Sequence, residues 1–199
     1  MLKPFQFPTL RTALAAIAIV CAAPAFAQTP EATPAPDSGR STGDASTAQA
    51  VQLTARPAAV ISGTAEWEEG FDTITKSFND LRAAMDKAGL KPGGKPLTVF
   101  VETDDQGFKY QAMIPLESAP PANVTLAPPV KIGETPAGRT MRFEHRSAYD
   151  DIDSTYEAIT AYLDEKGIEA KPMFVEEYET EPKSADDPGL QVDIFVFVK

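Results

Sequence analysis

Glu176 stands between Phe174 and Tyr178 in the run Met173 to Thr180. Successive side chains of a strand point to opposite faces, so Phe174, Glu176 and Tyr178 share one face and Val175, Glu177 and Glu179 take the other. A carboxylate between aromatic walls suits a cationic or polar ligand with apolar bulk. The rings offer contact area and cation-π attraction, and the acid offers charge and hydrogen-bond acceptors. Acids are mostly solvated, so spacing alone favours an exposed glutamate among packing aromatics. Thr98, Phe100 and Glu102 occupy the matching face of an earlier strand, and Trp67 and Tyr149 each stand just before a helix, where they either line a cavity or pack in the core.

Other chemistries are poorly supplied. His145 is the one histidine and Cys21 the one cysteine, so no His or Cys metal cluster can be assembled. Serine-nucleophile chemistry would need His145 as base, and no Gly-x-Ser-x-Gly elbow is present. Gly93-Gly94 is too short for a phosphate loop. Asp150, Asp151 and Asp153 suit the start of a helix better than a calcium loop, whose spacing and terminal Glu are missing. No catalytic residue, cofactor or metal site is assigned.

The elements that must position Glu176 are written twice. From Pro57 to Leu116, and again from Arg139 to Lys199, a strand, an amphipathic helix closed by glycine and a strand pair follow in the same order. Phe71, Ile74, Phe78, Leu81 and Met85 form one helical stripe before Gly89; Ile152, Tyr156, Ile159 and Leu163 form the other before Gly167. The leading strands are expected at 58–63 and 139–146. The strand pairs are expected at 97–103 with 108–116 and at 173–180 with 190–198. The proline-bearing connector 117–130 has room for a short extra strand near Val124 to Leu126. The pattern predicts an α+β fold of tandem, pseudo-symmetric strand-helix-strand-strand repeats, with antiparallel sheet and the two main helices on one side.

Three segments together carry a family resemblance: Phe143 to Ile152, Tyr162 to Gly167, and Glu176-Glu177-Tyr178-Glu179-Thr180-Glu181-Pro182. They resemble the second half of the GyrI-like small-molecule-binding domain, also called the AraC-type effector-binding domain. The first half, 51–116, is a weaker match consistent with the repeat. The resemblance implies a ligand cavity between the repeats and an acid on the Glu-x-Tyr strand that contacts the ligand, here Glu176 with Tyr178 beside it. Ser147 stands where the family has Gly, and Phe197 where it usually has Pro. Relatives joined to a helix-turn-helix sense effectors for transcription, and some are reported to hydrolyse reactive small molecules with a cavity carboxylate. Binding is the first reading; a carboxylate hydrolase is the second, and an envelope interaction module using the acidic surface is the third.

The ends suggest where this happens. Lys3 and Arg11, an apolar run through Val20 and the Ala25-Phe26-Ala27 site read as a signal peptide over 1–27. Residues 28–50, rich in Pro, Ala, Ser and Thr without an aromatic, read as a disordered linker, and 51–199 as one domain. A periplasmic or secreted location is expected, with no integral span once the signal is cleaved. Losing Lys3 and Arg11 leaves 16 basic residues against 29 acidic, a net charge of −13. That balance disfavours nucleic acid as a partner. The expected partner is a small, partly hydrophobic molecule, cationic or polar.

Overall fold

A computed structural model describes residues 48–121 and 123–199; the expected signal peptide and residues 28–47 of the expected linker lie outside the described residues. Both helical stripes form helices where the periodicity places them: α1 (Gly70–Ala88) and α2 (Ile152–Lys166). Each ends on a glycine in the left-handed region, Gly89 at φ 68° and Gly167 at φ 62°. The following residues close the cap, Leu90 N–H on the Met85 carbonyl and Ile168 N–H on the Leu163 carbonyl, both at 2.9 Å. The stripe residues Ile74, Phe78, Leu81, Met85, Ile159 and Leu163 are buried in one core cluster. Each such side chain contributes about 1.5–3 kcal/mol through burial.

The strands are β1 (Gln49–Leu53), β2 (Pro57–Glu66), β3 (Leu97–Thr103), β4 (Gly107–Pro115), β5 (Lys131–Glu134), β6 (Gly138–His145), β7 (Ala170–Tyr178) and β8 (Val192–Val198). They form one antiparallel sheet in the order β1-β6-β8-β7-β3-β4-β2-β5. The turn between β3 and β4 is held by the Asp104 carboxylate, which accepts from the Gln106 and Gly107 backbone N–H groups at 2.8 and 3.0 Å. Close packing elsewhere demands small residues: a Cβ on Gly63 would stand 2.8 Å from the Tyr110 hydroxyl, which bonds Ser77 Oγ at 2.9 Å.

Two differences from expectation concern short strands. No strand forms at 124–126; Val124 N–H bonds the Pro121 carbonyl in a turn, and Leu126 is drawn into the core. Pro128 and Pro129 lack the N–H groups a ladder needs, so pairing resumes after them as β5, against Pro57–Val60 of β2. At the other margin β1 begins at Gln49, inside the stretch read as linker, and pairs with β6.

The order also dictates curvature. β1 and β2 are six places apart, about 29 Å across a flat sheet, yet the link from Leu53 to Pro57 can reach only about 15 Å. The sheet therefore curls. On the face away from the helices, Leu97, Val99, Met113, Val175, Phe195 and Phe197 form a second buried cluster. On the other face α1 packs mainly against β2 and β4, and α2 against β6. The central strands β7 and β3 run between the two helices.

Candidate functional site

The repeats meet in the β3–β7 pair. Thr98 lies opposite Glu176, Val99 opposite Val175, and Phe100 opposite Phe174. A pseudo-twofold axis through the valine pair exchanges the strands, carrying Glu176 onto Phe100 and Phe174 onto Thr98. On the helix-facing side this leaves two adjacent rows of different chemistry. One row pairs Thr98 with Glu176; the next stacks Phe100 on Phe174, with centroids 4.5 Å apart and planes 13° from parallel.

Glu176 is only 1% exposed. Tyr156 donates to its Oε1 at 2.7 Å, while Tyr178 and Tyr149 donate to Oε2 at 2.8 and 3.3 Å. These hydroxyls come from three elements: Tyr156 from α2, Tyr178 from β7 itself, and Tyr149 from the 3-10 turn Tyr149–Asp151 that leads into α2. Burial pushes the Glu176 carboxyl up to about 7, even though all three hydroxyls pull the other way. The hydroxyls themselves are driven well above the ordinary tyrosine value, by burial first and then by the Glu176 charge. They therefore stay protonated and serve as donors. The group has the chemistry of a tunable anion: neutral or charged near neutral pH, shielded from water, and open to one more donor at Oε1, which holds only Tyr156 of the donors above.

Aromatic rings pack around the tyrosines that hold it. Tyr149 meets Phe71 at 5.2 Å, Tyr156 meets Phe174 at 5.1 Å, and Phe78 meets Tyr178 edge-on at 5.2 Å. Three of the expected residues, Glu176, Tyr178 and Tyr149, come together directly; Phe174 joins through its ring contact with Tyr156, and Phe100 through its stack on Phe174. Trp67 is set further out. Its ring packs on Phe108 at 4.9 Å, Phe108 packs on Phe100 at 5.0 Å, and its indole N–H donates to the Asp104 carbonyl at 2.8 Å.

Trp67 and Tyr149 do stand at equivalent places, each opening the 3-10 turn before its helix. But α1 has 19 residues and α2 has 15, one turn fewer. Counting back from the capping glycines, Phe71 stands level with Tyr149 and Phe78 level with Tyr156. The first repeat thus offers Phe71, Phe78 and Phe100 where the second offers Tyr149, Tyr156 and Glu176. One half of the site is polar and its mirror half is apolar.

Tyr156, Phe71 and Phe78 are the site residues that sequence reasoning placed only in the core stripes. The usable signal was a tyrosine hydroxyl on a stripe otherwise made of aliphatics, since a buried hydroxyl needs a partner. His145, by contrast, is structural. It is 1% exposed, its Nε2–H donates to the Ala148 carbonyl at 3.0 Å, and its Nδ1 accepts from the Thr155 hydroxyl at 2.8 Å. Burial lowers its pKa below the ordinary value, consistent with a neutral ring tying β6 to α2.

Comparison with known proteins fits this fold. A search of curated proteins finds no match. Among solved structures, the C-terminal domain of EcmrR is similar over 77% of this chain and 97% of its own, with 13% identity and a TM-score of 0.63. Against the EcmrR chain in a complex with DNA the TM-score is 0.62 at 12% identity, and this chain spans 57% of that longer chain. SAV2435, solved bound to tetraphenylphosphonium, shares 16% identity over 76% of this chain and 93% of its own, with a TM-score of 0.53. A hydrolase from Listeria innocua shares 13% identity over 76% of this chain and 91% of its own, with a TM-score of 0.54. These likenesses establish the fold, and the GyrI-like small molecule binding domain matches residues 48–199 as a family. This chain, with its paired repeats joined at β3 and β7, belongs to the GyrI-like small molecule binding domain family.

Proposed function

We propose that this chain is an exported binding protein for a small, partly hydrophobic cation, received between the two repeats with Glu176 as its polar anchor. The observation that carries this reading is a carboxyl 1% exposed, walled by aromatic rings and held by three tyrosine hydroxyls at the centre of the inter-repeat sheet. A buried acid without a basic partner is costly to keep, and a ligand cation would supply the missing charge. The relative solved with tetraphenylphosphonium lends support, because that ion pairs a positive charge with aromatic bulk. Chemistry of the same kind suits Glu176 among Phe71, Phe100 and Phe174.

Thermal-shift titration with tetraphenylphosphonium and a panel of aryl cations tests this on wild type and Glu176→Gln, each read against its own unliganded baseline. The substitution is expected to cost roughly 1.5–3 kcal/mol of affinity, the worth of a charge-assisted contact. Equal shifts in both proteins would remove Glu176 from the site.

A carboxyl poised at about 7 also meets the requirement for a general base at neutral pH, which favours hydrolysis as the second reading. Mass spectrometry of electrophiles incubated with the same two proteins separates the readings. Product formed by wild type and lost in Glu176→Gln supports turnover; intact compound that stabilises the protein supports binding.

Export rests on residues 1–27. Amino-terminal sequencing of protein recovered from an envelope fraction is expected to begin at Gln28, and recovery of intact Met1 from the cytoplasm would refute it.

A further inference from the structure

Thr98 has no role in the reading above, yet its surroundings are unusual. It is 0% exposed, and its hydroxyl has no hydrogen-bond partner. Buried hydroxyls are rarely left so, because an unpaired one forfeits its bonds to water. A valine would fill the same space on a strand without that penalty. Thr75 holds the other such hydroxyl among the described residues; it is half-buried on α1, one turn from both Phe71 and Phe78, whereas Thr98 is wholly enclosed in the sheet. Thr98 is directly opposite Glu176, on the same face, in the row beside the stacked Phe100 and Phe174 rings. Directly opposed side chains have Cβ atoms about 5 Å apart, so a single nitrogen can reach the oxygens of both.

We infer that the ligand is a protonated arylalkyl amine whose N–H groups are shared between Glu176 Oε1 and Thr98 Oγ1, with its ring lying along Phe100 and Phe174. This rests on the reading of Glu176 as the polar anchor. The carboxylate keeps an acceptor direction at Oε1 beyond the one Tyr156 occupies, and the threonine hydroxyl can accept while its own proton turns to the carboxylate. Two acceptors side by side call for at least two N–H donors on one charged nitrogen. A primary or secondary ammonium has them. A quaternary ammonium or a phosphonium does not, and would leave the threonine oxygen without a donor. The pseudo-twofold relation fixes the direction as well: the charge goes to the Thr98–Glu176 row and the apolar body to the phenylalanine row.

The test uses matched pairs, benzylamine with benzyltrimethylammonium and 4-phenylbutylamine with its trimethyl counterpart, titrated calorimetrically at about pH 8, where the amines are still charged and the acid is mostly ionised. Wild type is expected to bind each amine roughly tenfold more tightly than its trimethyl partner, a difference of about 1.4 kcal/mol. Thr98→Val, which keeps the shape and removes the oxygen, should erase that preference without lowering thermal stability. Thr98→Ser, which keeps the oxygen, should retain it. If Thr98→Val fails to fold, Thr98→Ser against Thr98→Ala decides in the same way. A preference that is absent, or that survives loss of the hydroxyl while Glu176→Gln still weakens every cation, overturns the amine assignment and leaves Glu176 as anchor. Binding by wild type that Glu176→Gln does not weaken overturns both, and no binding of any amine by wild type overturns the assignment outright.

Discussion

Glu176→Gln is expected to stabilise the unliganded domain at pH 8 by up to about 3 kcal/mol, and to change it little at pH 5. The sign follows from the direction of the shift. Burial raises the folded carboxyl from its ordinary 4.5 to about 7, so between these values the folded chain holds a proton that the unfolded chain has released. The acid's favourable contribution is complete below about 4.5 and is lost as pH rises through 7. A difference of about 2.5 pH units corresponds to roughly 3 kcal/mol. Glutamine cannot ionise, so the variant should lack this slope. His145 acts in the opposite sense: its folded value is depressed, and its contribution is lost as pH falls below about 6.5. It is common to both proteins and cancels in the difference. Urea unfolding of both proteins at pH 5 and pH 8 reads the effect; a wild type that outlasts the variant at pH 8 would mean that the three tyrosine donors more than offset burial.

That expectation bears on function. A residue whose ionised form weakens its own fold, where glutamine would serve, is the kind of compromise that binding and catalytic sites keep. The same substitution is expected to strengthen the fold and weaken cation binding. Those opposite responses distinguish an anchor from a packing residue, since losing a packing residue weakens both.

The parts of this fold visible in the sequence are those set by local periodicity. The α1 and α2 stripes, their glycine caps and the alternation of β7 are properties of adjacent residues, and they placed Phe174, Glu176 and Tyr178 on one face; in β3 a bulge between Phe100 and Glu102 sets Glu102 opposite Lys109, off the face expected for it beside Thr98 and Phe100. Strand order is not such a property. Nothing local in Thr98 or Val99 indicates that β3 pairs with β7, so the row joining Thr98 to Glu176 emerges only with the sheet. Edge strands are similarly obscure: β1 and β5 are five and four residues long and are fixed by what they pair with. Tyr156 was legible as part of a stripe, but its hydroxyl's target on β7 was not. The extra turn of α1, which levels Phe71 with Tyr149, could have been read from the two glycine positions and the lengths of the helices they close.

Phe78→Ala is expected to cost about 3–5 kcal/mol, a large part of the 5–15 kcal/mol that stabilises a typical domain. Phe78 is 0% exposed and lies at the middle of the α1 stripe, between Ile74 and Leu81. Its ring meets Tyr178 edge-on, and Tyr178 in turn donates to Glu176 Oε2. Removing the ring deletes core contacts and leaves a cavity next to the donor that holds the acid. Two consequences should separate. The loss of stability should appear in urea unfolding as a lower midpoint with an unchanged slope, and Met85→Ala, buried further along the same stripe, should give a comparable loss of about 2–5 kcal/mol. Only Phe78→Ala frees Tyr178 to move, so only that variant should also weaken cation binding at a temperature where both remain folded. Equal effects of the two substitutions on binding would show that α1 supports the sheet without positioning the acid. A loss below about 1 kcal/mol for Phe78→Ala would show that the stripe of the first repeat is not part of the core.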